Sequence, residues 1–159
     1  DSTAELKRAK EQQLERVITI FPWIATIDKF QHWVYENPNH TEEERADRWF
    51  EILKEFSSPV IDFTGLDEYR RFAWHRQLHL FEVPFYYIEY GIAQLGAIGL
   101  WQQYKNNPES AINNYLKALE LGGTKTLPEL FMAAGLQFDF SPAYISQLMG
   151  FVKKEMDSL

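Results

Sequence analysis

The stretch NPESAINNYLKALELGG, residues 107–123, carries its own start and stop. Asn107 is a residue type whose side-chain oxygen accepts a backbone N–H of a first helical turn, and Pro108 follows where a missing N–H costs nothing. Gly122-Gly123 is the matching exit, because glycine takes the positive φ with which many helices end. Together these signals predict a helix over residues 108–121. The same grammar recurs outward. Thr126-Leu127-Pro128-Glu129 and Ser141-Pro142 open two more helices, the first closed by Gly135 and the second running to the C-terminus. Thr41-Glu42-Glu43-Glu44 is a capping box, with its acidic run at the positive end of the helix dipole, and it opens a helix ending near Phe56.

Further upstream, Leu6, Leu14, Val17, Ile18 and Phe21 stand among Lys, Glu and Gln at the spacing of an amphipathic helix over residues 4–20. Pro22 predicts a kink or a fresh start there, followed by a second helix to about Glu36. Ser57-Ser58-Pro59 through Gly65 has the chemistry of a loop. Leu66 to Phe81 resumes helical spacing, and Pro84 is the expected start of a long apolar helix. Nowhere do Val, Ile and Thr alternate with polar residues over a strand's length, so the expected fold is all-α. Loops are short and no low-complexity linker divides the chain, so residues 1–159 are read as a single multi-helix domain.

A chain of 159 residues can bury a real core, roughly 70% of the surface its unfolded form exposes. Aromatic residues make up 16%, so large rings must build much of that core or line a cleft. A net charge of −7 with no basic stripe argues against nucleic acid as partner. The absence of cysteine excludes disulfides, thiolate nucleophiles and Cys-based zinc sites, and it fits a cytoplasmic location. The most apolar stretch, Val83 to Trp101, is interrupted by Glu89, Gln94 and three glycines, so it reads as a buried central helix and not a membrane span. The chain begins Asp1-Ser2-Thr3 without a leading Met or a signal sequence, as expected of a trimmed piece.

The densest chemistry lies between Trp74 and Tyr90. His75 and His79 are four apart, a spacing that on a helix face can bind metal. The metalloprotease motif needs Glu directly after the first His, however, and that place holds Arg76, which accepts no proton and repels a cation. Glu82 is the one nearby third ligand. The pair is therefore either a weak metal site or, with better support, a surface or hydrogen-bonded pair. On a helix from Pro84, Tyr86 and Tyr90, and Tyr87 and Tyr90, share overlapping faces. Their phenols are either core rings with hydroxyls at the boundary or neutral donors to a carbonyl or oxyanion. Asp62, Asp67 and Glu68 form no catalytic pattern. Residues 113–121 resemble the second helix of a tetratricopeptide repeat, but the unit does not recur about 34 residues away.

The run RQLHLFEVPFYYIEYGIAQLGA, residues 76–97, closely resembles the C-terminal region of oligoendopeptidase F. Further matches are Phe21-Pro22-Trp23-Ile24-Ala25 leading to Asp28, Phe30-Gln31-His32-Trp33, Leu121-Gly122-Gly123, and Ala134-Gly135 followed by Phe138-Asp139-Phe140-Ser141. They cover essentially the whole chain in the family's order. The resemblance, which extends to relatives of thimet oligopeptidase, implies an all-helical zinc peptidase that hydrolyses short peptides in a deep channel. There, zinc polarises a water, a glutamate takes its proton, and the hydroxide attacks the scissile carbonyl. By the same resemblance, His79 matches a substrate-binding histidine, Tyr90 the oxyanion donor, and Tyr87 or Tyr86 its companion. His32 and Gln31 belong to a recognisable family block and are assigned only packing roles or a supporting role behind the residues that touch substrate. No His-Glu-x-x-His occurs in these residues. In the family that motif lies upstream, so zinc is expected in the intact enzyme, no metal on this chain, and no activity from the chain alone. The expected partners are short peptides and the upstream catalytic half of the same protein. Apolar surface normally packed against that half makes the isolated piece a candidate for dimerisation. The competing reading is a stand-alone all-helical protein-interaction module without catalysis.

Overall fold

The computed structural model describes residues 2–159 and, among them, contains helices and no strand. In chain order the helices are α1 (Thr3–Glu36), α2 (Glu42–Glu55), α3 (Asp67–Arg71), α4 (His79–Glu82), α5 (Ile88–Asn106), α6 (Pro108–Leu121), α7 (Leu127–Ala133) and α8 (Pro142–Asp157). Short 3-10 turns occupy Ala73–Arg76 and Gly122–Thr124. No helix among the described residues is long and apolar enough to cross a membrane. The described residues divide into two compact units, one of residues 16–91 and one made of residues 2–15 with 92–159.

In the 16–91 unit, helical spacing on α1 puts Ile27 and Phe30 on one buried face, and Trp49 and Ile52 do the same on α2. These four close around Trp74 as one cluster. Trp49 is fully buried, edge-on to Phe30 at 5.2 Å and to Trp23 at 5.8 Å, and its indole N–H donates to the Arg70 carbonyl at 2.9 Å. Such ring pairs add about 0.5–1.5 kcal/mol each beyond their buried area. The Thr41 capping box is formed, with Thr41 N–H donating to Glu44 and the Glu44 N–H donating to the Thr41 hydroxyl.

Three sequence expectations are corrected here. α1 continues through Pro22 as one helix, so the proline does not mark the fresh start or the second helix expected there. A proline removes only one backbone donor, and the buried residues Ile24, Ile27 and Phe30 just beyond it hold the helix in register. The Thr26 hydroxyl also donates to the Pro22 carbonyl at 2.8 Å. Second, residues 66–82 are not one helix but α3, a 3-10 turn and α4, entered at Leu66, Phe72 and Leu78, none of which offers a capping side chain. Third, the apolar helix starts at Ile88 and not at Pro84, because Phe85 takes a φ of 60°.

The other unit follows its local signals closely. Asn107 accepts from Ser110 N–H, Thr126 and Glu129 are linked, and Ser141 accepts from Tyr144 N–H, so that α6, α7 and α8 begin where the residue types say they should. Gly135 ends α7 with a φ of 72°. Gly99 marks a close approach: a β-carbon there would lie 2.9 Å from the Leu136 side chain. Leu95, Ile98, Ala111, Leu148 and Val152 are buried, Trp101 packs edge-on to Phe151 at 4.7 Å, and Lys105 pairs with Glu155 at 2.8 Å.

Candidate functional site

The most concentrated polar and aromatic chemistry is in the 16–91 unit, where residues 77–90 fold back upon themselves. His79 is the first residue of α4, Tyr86 and Tyr87 precede α5, and Tyr90 lies in the first turn of α5. The turn at Phe85 brings all four together. The His79 ring lies 4.9 Å from Tyr87, 5.7 Å from Tyr90 and 6.4 Å from Tyr86, the last nearly parallel to it. Tyr90 is edge-on to Tyr86 at 5.6 Å and to Tyr87 at 5.1 Å. The two outer phenols are open to solvent, Tyr86 at 48% and Tyr90 at 43%, so a ligand can reach them.

His79 is held at both nitrogens. Its Nδ1 is 2.8 Å from the Gln77 amide nitrogen and its Nε2 is 3.3 Å from the Tyr90 hydroxyl. Partial burial among the rings, and then the neighbouring phenols Tyr86 and Tyr87, raise the Tyr90 hydroxyl's pKa above its ordinary value. It therefore remains a neutral donor throughout the neutral range.

The backbone of this segment is fixed from α1. Gln31 is buried, with 3% of its surface exposed. Its amide nitrogen donates to the Leu80 carbonyl at 3.3 Å and its oxygen accepts the Phe85 N–H at 2.8 Å. One side chain thus satisfies two backbone groups that bracket the turn, and the backbone fixes which end of the amide faces which. The Phe85 ring lies 5.0 Å from His32 and 4.8 Å from Tyr35. His32 itself reaches Asp28 at 3.6 Å. A cavity of about 350 Å³ lies under the same segment, lined by Phe30, Gln31, Val34, Trp74, Leu80 and Phe81 among others.

The structure brings His79, Tyr86, Tyr87 and Tyr90 together, though not by the route that spacing suggested. Tyr86 and Tyr87 lie outside the helix, and a turn supplies the convergence that a helical face was expected to provide. His75 is not stacked above His79 on a helix. It sits in the 3-10 turn against Trp74 at 4.1 Å and Phe72 at 5.7 Å, and Gln77, with a ψ of 88°, breaks the helical path between the two histidines. Among the described residues no three His, Cys, Asp or Glu side chains are grouped to hold a metal ion, and both His79 nitrogens already have partners. The donor set does not fit zinc. Sequence reasoning missed Gln77, and it gave Gln31 a supporting or packing role without naming the backbone groups that it holds. A glutamine between Phe30 and the half-buried face of α1 was the available signal, since a buried amide must find partners.

The chain has relatives among known proteins. An oligoendopeptidase F homolog of Borreliella burgdorferi is 26% identical over 127 residues, which is 77% of this chain and 21% of the relative. A 3.1 Å X-ray structure that carries the name oligoendopeptidase F superimposes with a TM-score of 0.87 at 33% identity, covering 96% of this chain and 27% of the other. Pz peptidase A, solved with an inhibitor, gives a TM-score of 0.85 at 33% identity over 94% of this chain and 26% of its own. The chain thus spans about a fifth to a quarter of the length of these proteins. The model of peptidase family M3 matches residues 1–150, and the chain belongs to that family.

Proposed function

We propose that this chain is the C-terminal, substrate-facing part of a zinc metallo-oligopeptidase that hydrolyses short peptides. The observation that carries the reading is the convergence of His79, Tyr86, Tyr87 and Tyr90 around solvent-open hydroxyls. A peptide laid across such a surface meets neutral donors, which hold carbonyl oxygens without adding charge. Tyr90 is the donor placed for the oxyanion that forms when the scissile carbonyl is attacked, and Tyr86 or Tyr87 accompanies it. His79 braces Tyr90 and contacts the peptide.

Zinc belongs to the part of the intact enzyme that precedes this chain, and there it would supply the activated water. The chain alone is inert on this reading, since no three His, Cys, Asp or Glu among the described residues are grouped to hold the metal. Leu78, Phe81, Val83 and Ile88 are exposed and are the side chains that the upstream half would cover. Without that half, they favour self-association. The working location is the cytoplasm.

The test is hydrolysis of a quenched fluorescent peptide by the intact enzyme and by its Tyr90→Phe and His79→Ala variants. Tyr90→Phe should lose on the order of 100- to 1000-fold in kcat, as when one oxyanion donor is removed. Full turnover in both variants would remove the assigned roles.

A further inference from the structure

The chain of contacts Gln77, His79, Tyr90 has a direction, and the direction decides what Tyr90 can do. An amide nitrogen is a donor only, so in the orientation that sets the Gln77 nitrogen 2.8 Å from His79 Nδ1, that ring nitrogen accepts. In a neutral imidazole the proton then sits on the other nitrogen. With that tautomer, Nε2–H donates across 3.3 Å to the Tyr90 oxygen. A phenol that accepts through its oxygen keeps its own O–H for another partner, the Tyr86 hydroxyl beside it or a peptide carbonyl that takes its place, and accepting polarises that O–H into a better donor. In the reverse order, with the proton on Nδ1, Nε2 would take the Tyr90 hydrogen inward and the site would lose its donor.

We propose that Gln77 is a positioning residue that holds the His79 proton on Nε2, so that Tyr90 accepts from His79 and turns its own O–H toward the peptide. This rests on the substrate-facing reading above, and it deepens it by naming the residue that orients the donor. Gln77 is half-buried and touches the ligand's place only through His79.

The experiment has a kinetic and a spectroscopic part, both on the intact enzyme. Gln77→Met keeps the side chain's length and removes the amide. It should lower kcat on the order of 10-fold, the worth of one oriented hydrogen bond, with KM nearly unchanged. The double variant Gln77→Met/His79→Ala should be no slower than His79→Ala alone, because Gln77 acts only through that ring. Loss by simple destabilisation would instead add. Unimpaired turnover in Gln77→Met, with His79→Ala and Tyr90→Phe both slowed, overturns this inference and leaves the site assignment standing. Unimpaired His79→Ala and Tyr90→Phe overturn the site assignment itself. With 15N-labelled histidine, the neutral His79 ring of the unmodified enzyme should carry its proton on Nε2, identified by the signal's loss in His79→Ala. A proton on Nδ1 overturns the proposal whatever the variants do.

Discussion

Between residues 107 and 157, α6, α7 and α8 begin where Asn107, Thr126 and Ser141 engage the first turn. Between residues 66 and 82, three short helical pieces begin at Leu66, Phe72 and Leu78, and none of these side chains caps anything. The first region is specified by neighbours in sequence. The second is held from far away, by Trp49 donating to Arg70 across 21 residues and by Gln31 reaching Leu80 and Phe85 across 49 and 54. His79 lies in the second region, and the three tyrosines of the candidate site follow directly after it, on the turn at Phe85 that Gln31 also anchors. A backbone freed from local rules can place side chains where a helix would not, at the cost of depending on distant anchors.

That contrast can be broken at the anchors. Trp49→Ala should cost about 3–5 kcal/mol, because it empties the centre of the cluster and strips Arg70 of its donor. Thermal or urea unfolding checks this, and a change below about 1 kcal/mol would deny Trp49 its part as an anchor. Gln31→Leu keeps the volume roughly but leaves the Leu80 carbonyl and Phe85 N–H without their partner. A loss of roughly 2–4 kcal/mol is expected. Hydrogen exchange should show faster opening at residues 80–90 than in α6.

The local region should be dented more gently. Gly135→Ala is expected to cost about 1–2 kcal/mol, from a left-handed backbone and a β-carbon 3.0 Å from the Asn114 amide. Asn107→Ala should cost about 1 kcal/mol, visible as a small drop in Tm. The smallest effect is a pH dependence at α7. The Thr126 N–H, and then its hydroxyl, hold the Glu129 carboxyl below the usual carboxylate range. A depressed folded pKa stabilises above the unfolded value and is lost as pH falls through the folded one. The Tm gap between the unmodified chain and Glu129→Ala should therefore be present at neutral pH and close in acid.

The same contrast explains what was legible in the sequence. The capped helices and the all-α class were readable, because Thr41, Asn107, Thr126, Ser141 and Gly135 act within four residues of themselves. The identities of His79 and the three tyrosines came from a resemblance, while their spacing suggested a helix that stops short of Tyr86 and Tyr87. The break over residues 72–78 was not readable, since the periodicity of residues 66–81 is helical and the forces that interrupt it come from α1 and α2. At Pro22 the fresh start erred in the opposite direction: the packed residues that follow the proline keep one helix going through it.

Phe85 sits where two demands meet. Its backbone, at a φ of 60°, is one that glycine enters without strain, while its ring fills the space beside His32 and Tyr35. Glycine would satisfy the first demand and lose the second, and leucine or valine would do neither well. In a saturation scan the position should therefore tolerate almost nothing, for two opposed reasons, although it touches no reacting group. Selection acting there would look like selection for catalysis while acting on the shape of a turn.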